Sequence, residues 1–153
     1  MGVMITWRWY KFSEFTLEQL YDVMALREAV FTHEQHCTEV DFDGLDKQAM
    51  HLLGIQGNHI IAYARVLPKG VYHKDAISFG RLAIPNKYRG KGFGKQMMQE
   101  IIDYIAENYP STPVKFSAQL YLQPFYENFG FHAVGEVYDE GGIPHIRMEK
   151  YIK

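Results

Sequence analysis

Apolar residues along the chain recur with two different periods. Ile5, Trp7 and Trp9 alternate with Thr6, Arg8 and Tyr10, the period of a half-buried first strand. In TLEQLYDVMALREAVF the period lengthens. Leu17, Leu20, Tyr21 and Met24 recur at helical spacing behind a Thr16/Gln19 capping box, predicting an amphipathic helix that turns this face inward. THEQHCTEVDFDGLDKQ keeps neither period and collects Glu34, Glu39, Asp41, Asp43 and Asp46, so it reads as an acidic loop with room for a short helical turn.

HLLGI and HIIAYARVL flank QGN, which predicts an antiparallel hairpin turning near Gly57 and Asn58. AISFGRLAIP is a strand stopped by Pro85, and Gly80 inside it signals a bulge or a close backbone approach. The main helix follows, with Phe93, Met97, Ile101, Tyr104 and Ile105 on one face and a stop near Asn108 and Pro110. PVKFSA is a strand. Pro124 opens a short helix, PFYENF, capped by Gly130, and the remaining residues read as two strands joined around Gly141 and Gly142. This order predicts an α/β fold, a mixed sheet with helices on both faces.

The length of 153 residues fits a single domain, residues 1–153, that needs no disulfide or metal staple. Sixteen Lys and Arg against eighteen Asp and Glu leave out the broad basic field of a nucleic-acid binder. The lone Cys37 cannot form an intramolecular bridge, and no secretory leader pattern opens the chain, so the cytoplasm is the expected compartment. No apolar run has a membrane helix's length, and no membrane partner is expected. Gly2 and Thr6 match a loose N-myristoylation pattern, but the alternation from Ile5 onward favours a strand over a lipidated arm.

The chemistry concentrates in YRGKGFGKQMMQEII, where three glycines run straight into a helical pattern. Helix N-termini offer unpaired N–H groups and the positive end of the macrodipole, so a bare turn there suits a phosphate. A plain strand-to-helix turn is the competing reading. A Walker A loop is excluded because Arg89 and Gln96 stand where glycine and Ser or Thr are required. The dinucleotide fingerprint fits poorly too, since Gly90, Gly92 and Gly94 are spaced two apart and lie past the midpoint of the chain.

What remains is R-x-x-G-x-G at Arg89, Gly92 and Gly94, preceded by RLAIP and followed by a helix. A second landmark, FYENFGF, follows the next strand at residues 125–131. In these two motifs the chain resembles the GCN5-related N-acetyltransferase (GNAT) superfamily. LREAVFTHEQ, DFDGLD, HLLG, AYARVL, AQLYLQPFYENFGF and YDEGGIPHIRM are similar to its ElaA-like branch and extend the resemblance over nearly the whole chain.

The resemblance implies a GNAT-type mixed, mostly antiparallel central sheet and an acetyl-CoA-dependent N-acetyltransferase that uses acetyl-CoA as cosubstrate, without a metal. By that resemblance the backbone of Leu82, Ala83 and Ile84 pairs with pantetheine. Arg89, Gly90, Lys91, Gly92, Phe93, Gly94 and Lys95 surround the pyrophosphate, and Gln119 takes the place of a cofactor-bonding asparagine. A backbone N–H near Leu82, aimed by the bulge at Gly80, is the expected oxyanion donor. Tyr126 matches the family's general acid.

Direct attack by an amine also needs a base, and AISFGRLAI offers no carboxylate. Glu34, His51 and His145 are the candidates. The acceptor is a small-molecule or peptidyl amine, and the acidic residues between positions 34 and 46 either attract such a cation or form a solvated loop. His33, His36 and Cys37 suggest zinc ligands, yet the second cluster that would complete a site is absent from the sequence. The missing base leaves a non-catalytic acyl-CoA-binding sensor as the alternative function. A homodimer through the final hairpin rests on fold analogy alone.

Overall fold

The computed structural model describes residues 4–152. Gly2 of the myristoylation pattern lies outside the described residues, while Thr6 opens a strand. That strand, β1 (Thr6–Lys11), is followed by α1 (Leu17–Arg27), β2 (Met50–Gln56), β3 (His59–Leu67), β4 (Ser78–Ala83), α2 (Phe93–Asn108), β5 (Thr112–Gln119), α3 (Gln123–Glu127), β6 (His132–Glu140) and β7 (Ile143–Ile152).

The strands form two antiparallel sheets, ordered β1-β2-β3-β4 and β5-β7-β6. They meet in one parallel bridge, Ile77 to Val114, where the Ile77 N–H donates to the Pro113 carbonyl and the Lys115 N–H to the Ile77 carbonyl, both at 2.9 Å. Beyond this bridge β4 and β5 diverge, and a cleft opens between them.

Side-chain alternation puts a helix on each face of the first sheet. Leu52, Ala62, Ala64 and Val66 face α2, which buries Met97, Met98, Ile101 and Ile105 among them. Leu53, Tyr63 and Ala83 face the other way, onto Val23, Leu26 and Val30 of α1 and its extension. Each fully buried aliphatic side chain of this kind contributes about 1.5–3 kcal/mol.

The face that α1 buries is not the one its apolar spacing predicts. Leu17 is 89% and Tyr21 74% exposed and Met24 is exposed as well, whereas Val23, Leu26, Arg27 and Val30 are buried. The stripe is rotated because an arginine occupies the core-facing position and is satisfied there by carboxylates. A pattern that counts charge as outward cannot register it. After Arg27 the helix widens into π-helical turns over Glu28–Glu34, closed by the Gln35 N–H donating to the Val30 carbonyl at 3.1 Å. The acidic segment that follows contains a 3₁₀ turn over Leu45–Gln48.

Candidate functional site

The cleft between β4 and β5 has a volume of about 780 Å³, well within the range of small-molecule sites. Leu82 and Ile84 line one wall, Ser117 and Gln119 the other, with Arg89 in the loop before α2, Gly94 in the first turn of α2, and Tyr126 and His145 also lining the cleft. Seven of the residues singled out in the sequence are thus brought together: Leu82, Ile84, Arg89, Gly94, Gln119, Tyr126 and His145. Ala83 turns its side chain into the core beneath α1. Phe93 is buried as the first residue of α2, and Glu34, Gly90, Lys91, Gly92 and Lys95 lie outside the cleft's lining.

Two of the glycines have a conformational reason to be there. Gly90 and Gly92 adopt φ of 75° and 83°, the left-handed region that side chains avoid, and a Cβ on either would meet nothing within 4 Å. Gly92 is the N-cap of α2, so this turn delivers the first, unpaired amides of a sixteen-residue helix beside the cleft. Gly94 differs. It lies within the helix, where an added Cβ would sit 3.7 Å from the Phe125 ring, an ordinary contact.

Arg89 is held rather than free. Its Nε donates to the Ile84 carbonyl at 2.7 Å, and its Nη1 lies 2.6 Å from the Glu34 carboxylate. Across the cleft, Gln119 Nε2 donates to Gln35 Oε1 at 2.9 Å. The last π-helical residue, Glu34, and its C-cap, Gln35, therefore reach Arg89 and Gln119 on opposite sides of the cleft.

Tyr126 is buried in an aromatic nest. Its ring packs edge-on against Phe116 with centroids 4.8 Å apart and against Phe125 at 5.2 Å, while Phe116 lies 4.1 Å from Phe79. Such pairs add about 0.5–1.5 kcal/mol each and fix the phenol's direction. Among the described residues its hydroxyl has no hydrogen-bond partner. Burial, then the nearby Tyr121, pushes its pKa upward, so it holds its proton as a donor must. The Lys150 ammonium donates to the Phe129 carbonyl at 2.6 Å and secures the turn that ends α3.

His145 is buried, with Nδ1 2.7 Å from the Ile143 carbonyl and Nε2 3.2 Å from the Glu140 carboxylate. A carbonyl and a carboxylate both accept, so each ring nitrogen faces an acceptor, and His145 and Glu140 form a hydrogen-bonded pair lining the cleft. Beside it the hydroxyls of Ser117 and Tyr138 are hydrogen-bonded, and Ser117 Oγ donates to Glu140 at 3.5 Å. Sequence reading missed Ser117, Tyr138 and Glu140. Strand pairing is what collects them, with Tyr138 opposite His145 and His145 opposite Gln119.

The other two base candidates are placed differently. Both ring nitrogens of His51 are occupied, Nδ1 by the Tyr63 hydroxyl at 2.7 Å and Nε2 by the Asp46 carbonyl at 2.8 Å, and the residue is outside the cleft's lining. Glu34 is bound to Arg89.

The acidic segment is neither a solvated loop nor a free cation trap. Asp41, Asp43 and Asp46 are matched by three guanidinium groups, those of Arg27, Arg65 and Arg81. Arg27 reaches Asp41 Oδ2 at 3.0 Å and Asp46 Oδ1 at 2.8 Å. Arg65 takes both oxygens of Asp43, at 2.9 and 2.6 Å. Burial alone would raise the Asp43 and Asp46 pKa values, but the arginine hydrogen bonds and charges override it and hold both below the usual carboxylate range.

The expected β4 bulge is present, one residue later than its signal. Gly80 pairs with Arg65 and Ala83 with Tyr63, leaving Arg81 and Leu82 opposite a single residue, Ala64. Arg81, not Gly80, takes the left-handed conformation, with φ of 54°. For a residue with a Cβ that costs about 1–2 kcal/mol. Among the described residues no group of three or more His, Cys, Asp or Glu side chains is arranged to hold a metal, and no helix is long and apolar enough to cross a membrane.

Residues 13–152 match the family described as acetyltransferase (GNAT) domain. The chain belongs to the GNAT family. It is 39% identical over 151 residues to the protein ElaA of Escherichia coli, covering 97% of this chain and 98% of that one. The crystal structure of Escherichia coli ElaA superposes with a TM-score of 0.89 at 38% identity over 96% of this chain and 99% of that one. An acyl-CoA N-acyltransferase of Pseudomonas aeruginosa does so with a TM-score of 0.90 at 36% identity, over the same shares. This GNAT domain is therefore an ElaA-like acyltransferase.

Proposed function

We propose that this GNAT domain moves an acetyl group from acetyl-CoA to a primary amine, by direct attack in a ternary complex. The observation that carries this reading is the cleft itself: two sheets that part beyond a single bridge, with a positively ended helix delivered to the opening by a left-handed glycine turn. An extended pantetheine arm fits along the backbone of Leu82 to Ile84 as an added strand. The amides from Arg89 to Lys95 suit a pyrophosphate, and Gln119 lies within the same cleft to hydrogen-bond the arm.

Three demands of aminolysis then fall to this chain's residues. The Leu82 N–H, left without a register partner by the bulge, stabilises the developing oxyanion; a donor of this kind is worth about 3 kcal/mol. Tyr126 protonates the departing thiolate. The His145–Glu140 pair takes the amine's proton directly or through water, with the Glu140 carboxylate, held against His145 Nε2, as the accepting group. Glu34 is kept out of this role by its pairing with Arg89. With Asp41, Asp43 and Asp46 neutralised, Glu39 and Glu140 are the carboxylates among the cleft's lining residues not paired to arginine, and they favour a cationic acceptor.

Free thiol release from acetyl-CoA, followed across small and peptidyl amines, tests the reading. Turnover that falls about 10²- to 10⁴-fold in Tyr126→Phe at unchanged CoA affinity supports it. Full activity in that variant, or transfer only to hydroxyl acceptors, overturns it.

A further inference from the structure

We infer that the DFDGLD segment is a clamp that sets the catalytic bulge, with Arg81, Asp41 and Asp43 acting as positioning residues. The inference rests on the reading of Leu82 as oxyanion donor. Its support comes from where the ionic network is anchored. Arg81 is the left-handed residue of the bulge, and its Nε lies 2.8 Å from Asp41 Oδ1 while its Nη2 lies 3.4 Å from Asp43 Oδ2. The two β3 residues that flank the bulge belong to the same network. Arg65, opposite Gly80, binds Asp43 and Asp46; Tyr63, opposite Ala83, accepts from Arg27 Nη1 at 3.3 Å. Asp41 joins Arg27 to Arg81, and Asp43 joins Arg65 to Arg81.

Every end of the bulge is thus tied to one small loop. A left-handed residue with a side chain persists only where its surroundings over-determine it, and here the surroundings include two carboxylates 2.8 and 3.4 Å from its guanidinium. Nothing in the space around Gly80 requires glycine, since a Cβ there would meet no atom within 4 Å. The strain is placed on Arg81, where the loop can hold it. The next amide along, that of Leu82, inherits its direction from that residue.

The test separates clamp from chemistry. Backbone chemical shifts of residues 80–83 are recorded for wild type, Arg81→Ala, Arg81→Gly and Asp43→Asn, alongside CoA affinity and steady-state kinetics. Arg81→Ala is expected to lose the positive φ at position 81 and to move the Leu82 amide resonance. Its kcat is expected to fall about 10- to 100-fold, with CoA affinity within about threefold of wild type.

Arg81→Gly, which tolerates the left-handed conformation, recovers part of that loss, and Asp43→Asn falls between. Retention of the wild-type bulge shifts in both Arg81→Ala and Asp43→Asn overturns the clamp, whatever the turnover. So does a rise in acceptor KM at constant kcat, which would assign Arg81 to substrate binding. A displaced bulge in a protein whose wild type releases no thiol with any amine leaves the clamp standing and removes the oxyanion reading instead.

Discussion

Replacing Arg27 by Met keeps an unbranched stem and removes the guanidinium with its charge from the middle of the α1 interface. The guanidinium is 2% exposed and makes five hydrogen bonds, to Asp41 Oδ1, Oδ2 and carbonyl, to Asp46 and to Tyr63. Breaking a buried ion pair from one side costs about 3–5 kcal/mol because the partner keeps its charge. Here the partners are not fully abandoned, since Arg81 remains 2.8 Å from Asp41 and Arg65 2.9 Å from Asp46.

The loss is therefore set at the lower end, about 3 kcal/mol, which for a chain of this size lowers Tm by roughly 6–12 °C. Thermal melts followed by circular dichroism, with urea titration for the free energy, measure it. Asp41→Asn in the same background should cost less than it does alone, because the two residues share one network. The half-exposed Arg89–Glu34 pair provides the control, and Glu34→Gln should change stability by less than about 1 kcal/mol. A Tm change below 2 °C in Arg27→Met would refute the view that the network holds the α1 face together.

Other outcomes follow from single sites. Burial first, and the charges of Arg27 and Arg65 beside it, hold the His51 pKa below its unfolded value despite the opposing pull of Asp46. A depressed histidine contributes stability that is complete above about pH 6.5 and is lost as pH falls toward the folded value. Tm should thus decline below that pH, and His51→Gln should flatten the decline. Gly92→Ala forces a Cβ into φ of 83° in open space, so it should cost about 1–2 kcal/mol by urea unfolding and weaken CoA affinity in calorimetry. Gly141→Ala would drive a Cβ onto Cys37 Sγ and within 2.9 Å of Glu39 Cγ, so acceptor KM should rise more than cofactor KM.

The elements proposed to hold the cofactor were legible because their signals are local. A left-handed turn before a helix needs glycine at Gly90 and Gly92, and a two-residue hairpin turn needs it at Gly141 and Gly142, so sequence and backbone agree there. The side proposed for the acceptor was less legible because its residues meet only across strands. Ser117, Tyr138, Glu140 and His145 come from three strands of one sheet, and no spacing along the chain reveals that they touch. The acidic segment misled for a related reason. Its three aspartates look solvated until Arg27, Arg65 and Arg81, drawn from three separate elements, are placed beside them. Arg27 also rotated the face of α1, and Arg81 took the strain that Gly80 had been expected to relieve.

The central claim is that amides at the start of α2 and along the end of β4 grip coenzyme A. Titrating ¹⁵N-labelled protein with coenzyme A while recording amide resonances tests it most directly. The largest shifts are predicted at Gly90 to Lys95 and at Leu82 to Ile84, with smaller ones at Gln119. Saturable binding whose shifts fall instead on Glu28 to Phe42 or on the β6–β7 hairpin, with residues 90–95 unmoved, would contradict the account.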